Sequence, residues 1–557
     1  MQNFPANLAR ETLLLFRLMM HRALILISTL LCLSGCQRKS QVATATEDGI
    51  FIIGNSNEPK GLDSQIVTGV LESNIMRAMF EGLVSFHPSD DAKYVLTGAE
   101  ALEPDETATV WTAKLRHDAK WSDGTTVTAH DYAFAYERML SPEFAAKYAE
   151  MLYFLKGADR FNKGETKDFS EVGVEVVDDF TLKLTLRGPT PYFPQILKHY
   201  TWNPVPRHVV LKHGTMTQKG NAWSKLGNIV SNGPYQLKSW RRTDHLEVER
   251  NPYYWNAENV TLNGIRYLPI NNSYTEARMF RDGQLHMTYT APPEIVDLMK
   301  KEHPEVLRQE PYVGTLFFRC NTTRKPLDDV RVRRALNLAF DQQEICDKIL
   351  RGYKPAFGMT PPMAGYTTPH AVRNDPEEAR RLLTAAGFPP NSEGVRPDFP
   401  RLKILLASRE TAATVAQAIQ AMWRKELGIE VEIENKEWTA YLAAMQDGEY
   451  DLASSGWIGD YLDPLTFLEM WTKGNGNNLT GWSNEKYEDL LKQSHQEADP
   501  TKRYQLLQEA ETILTTESPN LLLAWYARNY LLDPAVEGWH PLLLDNHPYE
   551  VLRLRTK

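Results

Sequence analysis

Beyond residue 48 the chain alternates short apolar runs with stretches whose apolar residues recur every three or four positions. The runs Gly49–Gly54, Thr109–Leu115, Thr181–Leu186, Leu246–Glu249, Leu402–Leu406 and Ile429–Ile433 are brief and rich in Val, Ile, Leu or Thr, which predicts strands. Ala129–Leu140 and Glu377–Ala386 carry helical spacing, and the second stops at Gly387 with Pro389 just beyond. Thr411–Leu427 ends at Gly428 and leads straight into Ile429–Ile433, so residues 402–433 read as strand, helix, strand. That order predicts a βαβ unit in a partly parallel sheet. Ser483–Gln493 starts on a serine with Glu485 in its first turn, which makes Ser483 the expected helix cap. The class is α/β, or mixed α+β, with no fixed-period repeat. Residues 37–48 are small and polar and read as a flexible tether.

Length and composition set the scale. At about 150 residues per domain, 557 residues imply three or four lobes. A content of 42% hydrophobic and 24% charged residues is that of a folded protein and excludes a disordered polymer. Thirteen Trp and 24 Tyr are a generous supply for a binding cleft. The net charge is −9, and because segment 1–35 carries +2, the remainder carries −11. Such a field repels nucleic acid and anionic headgroups, so neither is expected as a partner.

The N-terminus reads as an address. Arg17 and Arg22 precede an apolar run, Ala23 to Leu33, which suits a signal-peptide core and falls short of the roughly twenty residues a membrane span needs. Met19 or Met20 serves as a start for it as well as Met1 does, since residues 1–18 add little. The run closes on Leu33-Ser34-Gly35-Cys36, which resembles a bacterial lipobox and makes Cys36 the expected acylation site, with segment 1–36 as the lipoprotein signal. Only Cys320 and Cys346 then remain as thiols, free or joined in one bridge. No other stretch is long and apolar enough to thread a membrane, so the expected association is through the lipid alone.

Motifs for chemistry are few. There is no His-Glu-x-x-His stretch, no phosphate-binding Gly-x-x-x-x-Gly-Lys loop and no Cys-x-x-Cys pair, and no metal or cofactor is called for. Ser483-Asn484-Glu485-Lys486 fits the Ser-x-x-Lys pattern of penicillin-recognising enzymes, and Ser122-Asp123-Gly124 loosely echoes their second motif. The third, Lys-Thr-Gly, is absent. His130-Asp131 could orient a serine nucleophile, but an acid at position 131 also complements the start of a helix.

A longer series of motifs carries more. Trp111–Leu140, Glu72-Ser73-Asn74-Ile75 leading to Phe80-Glu81-Gly82-Leu83, and Asn232-Gly233-Pro234-Tyr235 occur with Glu249-Arg250-Asn251-Pro252-Tyr253-Tyr254-Trp255, Asp329–Leu336 and Gly456-Trp457-Ile458-Gly459-Asp460-Tyr461-Leu462-Asp463-Pro464. This set closely resembles the periplasmic oligopeptide- and dipeptide-binding proteins that feed ABC importers, over nearly all of residues 50–555. The resemblance implies a two-lobed binding-protein fold with a hinge and an additional inserted domain. One lobe is discontinuous, from 37–80, 207–313 and 528–557; the inserted domain is 81–206 and the facing lobe 314–527. Several chain crossings make a hinge that opens without unravelling either side.

A receptor for varied peptides must bind what all peptides share. Backbone amides are met by strand addition, and the α-ammonium needs a fixed carboxylate. By resemblance, Asp460 is that carboxylate. The same resemblance implies that Trp438 and Trp457 line side-chain pockets, that Tyr148 lies near the ligand N-terminus, that Gly69 and Val70 make backbone contacts, and that Gly456 belongs to the ligand-binding motif. Where the enteric oligopeptide binders carry an arginine two residues before Gly456, this chain has Ser454, and a neutral hydroxyl cannot meet a peptide carboxylate. The C-terminal anchor lies elsewhere, or the preferred ligand length differs.

The leading reading is a monomeric, lipid-anchored receptor in the bacterial envelope, performing no chemistry, that delivers oligopeptides to a permease with separate ATPase subunits. The second is a same-family receptor for murein tripeptide, a nickel chelate or another modified cargo. The third is a penicillin-recognising hydrolase using Ser483 and Lys486.

Overall fold

A computed structural model describes residues 39–407 and 410–556, which leaves Cys36 outside the described residues. Three larger sheets organise them. The first has the order Ile50–Gly54, Gly264–Leu268, His245–Arg250, Tyr235–Arg241, with only its first pair parallel. Phe51, Val248 and Ile265 face one core and are fully buried. The second, wholly antiparallel, has the order Ala99–Pro104, Val110–Leu115, Thr181–Thr185, Val174–Asp178. Helix Ala129–Leu140 belongs with it and buries Tyr132, Ala135, Tyr136 and Met139, one stripe at helical spacing.

The third sheet runs Lys354–Pro355, Asn520–Leu531, Leu307–Cys320, Leu452–Ile458, Leu402–Ala407, Val431–Lys436. The last two strands are parallel and joined by helix Glu410–Leu427, the βαβ unit that the residue pattern predicts. Gly428 ends that helix at φ +66°, and a Cβ there would sit 2.0 Å from the Gly394 carbonyl oxygen, so the position requires glycine. The Trp423 indole is fully buried and donates to the Leu336 carbonyl at 2.9 Å, which pins the helix to its neighbour.

Strands Leu307–Cys320 and Asn520–Leu531 are much longer than the others. Their ladder shifts register between Pro311 and Thr315, and Met287 bridges both Ile53 and Leu532. The expected lobe borders at 313/314 and 527/528 therefore fall inside two paired strands that link the first sheet to the third.

Two expectations need correction. The tether expected over 37–48 is not free along Gln41–Glu47, which is a helix. Ser40 Oγ caps it by accepting from the Ala43 amide at 3.1 Å, Val42 and Ala45 are buried, and the Val42 amide donates to the Gly283 carbonyl at 2.9 Å. Small polar composition concealed the i, i+3 apolar pair that docks it. Ser483 does not cap the helix that follows; Asn484 does, its Oδ1 accepting from the Tyr487 amide at 3.0 Å. Cys320 and Cys346 are both buried and unbridged, and burial pushes each thiol up to about 12. Among the described residues no helix is long and apolar enough to cross a membrane.

Candidate functional site

The site grows from the edge of one strand. Leu452–Ile458 is paired along its length with Leu307–Cys320, from Gly314 opposite Ile458 to Cys320 opposite Leu452. On its other side Leu402–Ala407 reaches only Leu452 and Ala453. The Gly459 amide donates to the Val313 carbonyl at 2.9 Å. Antiparallel alternation then turns the odd positions toward that partner and directs the N–H and C=O groups of Ser454, Gly456 and Ile458 to the uncovered side. The Ser454 carbonyl accepts from the Tyr441 hydroxyl at 2.5 Å. Gly456 is glycine because a Cβ would meet the Tyr526 hydroxyl at 2.2 Å. Gly456 and Ile458 thus present main-chain groups where a further strand could add.

Just past this edge stands Asp460, half-buried, its amide donating to Thr466 Oγ1 at 3.2 Å. Tyr148 donates its hydroxyl to Asp460 Oδ1 at 3.5 Å. Burial, with the nearby Glu150 charge, pushes the Asp460 carboxyl up to about 7. The Asp460 charge and burial hold the Tyr148 phenol well above its usual range. Among the described residues no cation is bonded to this poorly solvated carboxylate, and an arriving cation would favour its ionised form.

Aromatic contacts connect this centre to segment 67–70. The Tyr148 ring meets His199 edge-on at 5.6 Å, and His199 lies 4.3 Å from the Tyr200 ring. Burial pushes His199 down to about 3, so it is neutral. Tyr200 donates to the Val67 carbonyl at 2.9 Å, which brings segment 67–70 to the site. Gly69 precedes helix Val70–Met79, and a Cβ on it would strike Glu72 Oε2 at 2.2 Å. Val70 is 37% exposed.

Asp460, Tyr148, Gly456, Gly69 and Val70 are therefore connected. Trp457 packs against the core with its indole Nε1 buried and unbonded among the described residues. Trp438 begins helix Trp438–Gln446, and its side chain lies outside the described residues. Glu150 escaped the sequence reading. Its carboxyl is raised by burial and by the Glu469 charge, and Asn477 Nδ2 donates to it at 3.4 Å. Nothing in a single sequence marks it, because its neighbours come from segments more than 300 residues away.

The two sides are in contact. Arg187 pairs with Glu469 at 3.2 Å, the Arg503 guanidinium lies 4.0 Å over the Tyr192 ring, and Phe154 meets Tyr461 at 6.2 Å. The cleft is closed. The motifs for hydrolysis sit apart from it in local roles. Lys486 is exposed and ion-paired with Glu509 at 2.7 Å. Asp131 Oδ2 accepts from the Thr128 amide in a capping box, and His130 pairs with Asp179 at 3.2 Å. Among the described residues no three His, Cys, Asp or Glu side chains are grouped to hold a metal.

Comparison with known proteins places this arrangement. The family described as "Bacterial extracellular solute-binding proteins, family 5 Middle" matches residues 93–479. The periplasmic oligopeptide-binding protein OppA of Salmonella typhimurium is 35% identical, over 88% of this chain and 89% of its own. The structure of Haemophilus influenzae OppA in complex with RPPGFSPFR aligns with a TM-score of 0.79 at 32% identity, covering 91% of this chain and 99% of that one. The Escherichia coli murein tripeptide-binding protein MppA aligns at 0.81 with 28% identity, over 91% and 98% of the two chains. An MppA structure in its unliganded open form reaches 0.70 at the same identity and coverage, in keeping with the closed cleft here. With the family matched over more than half of its length and the solved neighbours two-lobed binding proteins, this chain belongs to the bacterial extracellular solute-binding proteins of family 5.

Proposed function

We propose that this chain is the substrate-binding receptor of a peptide ABC importer, taking oligopeptides into the closed cleft and presenting them to a permease served by separate ATPase subunits. The observation that carries this reading is a strand edge, Gly456 and Ile458, that runs into a poorly solvated carboxylate, Asp460. The edge suits a peptide main chain of any sequence, and the carboxylate suits its α-ammonium. Tyr148, Glu150, Gly69 and Val70 close the site, and Trp457 offers a pocket wall with an unused N–H. No bond of the ligand is made or broken in this role. Two lobes, 37–80 with 207–313 and 528–557 facing 314–527, move about the strands Leu307–Cys320 and Asn520–Leu531, with 81–206 inserted. The receptor acts as a monomer, without cofactor or metal.

Native mass spectrometry of residues 37–557, compared with the denatured mass, tests this directly. The expected result is an excess resolving into peptides of several lengths. A single non-peptide mass, or one containing meso-diaminopimelate, would replace oligopeptides with a dedicated cargo of the kind MppA is named for.

The same proposal places the protein in the envelope, held by lipid on Cys36. Labelling expressing cells with palmitate should mark the full-length chain and leave Cys36→Ser unmarked. Equal labelling of both would remove the anchor. Since the helix Gln41–Glu47, five residues after Cys36, is docked on the body, the lipid would hold the body close to the membrane surface.

A further inference from the structure

Among the described residues the buried arginines are matched, with one exception. Arg138 faces Asp63, Arg503 faces Asp463 and Arg528 faces Asp545, with N···O distances of 2.6, 2.7 and 2.7 Å. Arg333 and Arg396 direct their N–H groups to several main-chain carbonyls. Arg319 is 5% exposed and has no carboxylate partner among the described residues. Its Nε donates to Ser455 Oγ at 3.2 Å and its Nη1 to the Asn477 carbonyl at 2.7 Å, while Nη2 makes no hydrogen bond among them. The Phe317 and Trp471 rings stand 5.4 Å from its Cζ and fix its plane. A desolvated guanidinium with a spare N–H is costly unless an anion arrives.

Its position says which anion. Arg319 is opposite Ala453 and shares a face with Phe317 and Ser455. The bond to Ser455 shows the side chain leaning over Leu452–Ile458 toward that strand's uncovered edge. Asn477, whose carbonyl it holds, donates from Nδ2 to Glu150, the carboxylate beside Asp460. Through Asn477 and Glu150, Arg319 and Asp460 thus line the same cleft. From the level of Ile458 to that of Ala453 is about 17 Å at roughly 3.3 Å per residue. A peptide anchored at Asp460 and running antiparallel to this edge reaches Arg319 after about four to six extended residues.

We propose that Arg319 receives a carboxylate of the bound peptide, supplying the charge that Ser454 cannot. This rests on the peptide-receptor reading. It makes the binding site two-ended, with an ammonium pole at Asp460 and a carboxylate pole at Arg319.

The test is calorimetry with alanine-based peptides of three to seven residues, as free acids and as C-terminal amides, on the wild type and on Arg319→Met. Reading the ratio of acid to amide affinity within each protein cancels any general loss from the substitution. The wild type should prefer the acid at least tenfold at four to six residues, and R319M should show a ratio near one. An amide carrying glutamate at its fourth or fifth position separates the two sources. If it, and not the free acid, gains affinity in the wild type and loses the gain in R319M, the carboxylate comes from a side chain. A ratio unchanged by R319M for both acid and glutamate peptides overturns the proposal and leaves the receptor reading standing. Failure of the wild type to bind any peptide overturns the receptor reading itself.

Discussion

Asp460→Ala will weaken binding of a peptide with a free N-terminus by about 2–5 kcal/mol, roughly thirty- to several-thousandfold in Kd. The cause is the loss of the half-buried carboxylate awaiting the ammonium, which then has no anion in a desolvated place. The same residue predicts how affinity depends on pH. Burial holds its carboxyl up to about 7, so near pH 7 a large fraction is protonated. The arriving ammonium favours the ionised form, and binding below pH 7 must therefore expel a proton. Affinity should fall by up to tenfold per pH unit below 7 and level off above it, until the peptide's own amine begins to lose its proton near 8. Calorimetry in two buffers of different ionisation enthalpy at pH 6 should register the proton release. Asp460→Asn should abolish the slope as well as most of the affinity. A flat profile in the wild type, or an unchanged Kd in either variant, would remove Asp460 from this role.

The second large effect concerns stability. Asp463 and Arg503 are each almost wholly buried and joined by two bonds, at 2.7 and 2.8 Å. Asp463 Oδ1 also accepts from the Leu465 amide at 2.9 Å, so the pair fixes the loop that carries Asp460. Arg503→Met would strand the Asp463 carboxylate in the interior and cost about 3–5 kcal/mol of unfolding free energy. Adding Asp463→Asn keeps an acceptor for Leu465 and removes the stranded charge, so the double variant should recover most of the loss. Denaturant unfolding of the single and double variants measures both quantities. A single variant as stable as the wild type would show that water reaches the pair.

How far the sequence reads correctly can be judged from particular elements. The strand-helix-strand segment at 402–436 was legible because its apolar periods switch cleanly and Gly428 marks the junction. Helix Ala129–Leu140 was legible for the same reason. The residue pattern places the cap at Ser483, one residue before Asn484, since serine and asparagine cap equally well and only the backbone chooses between them. Helix Gln41–Glu47 was missed because docking by Val42 and Ala45 leaves almost no apolar signal in seven residues.

By itself the sequence determined the alternation of strands and helices and the motif series of the family, and through that series it proposes Asp460 and Tyr148 for the site. Those properties are local, or are motifs that survive intact along the chain. Tertiary structure alone decided that strand Leu402–Ala407 stops short and leaves Gly456 and Ile458 uncovered, that Glu150 stands beside Asp460, and that Arg319 is buried without an anion. Each depends on burial and on neighbours from distant segments, and both the charge state of a carboxylate and the need of a cation for a partner follow from those surroundings.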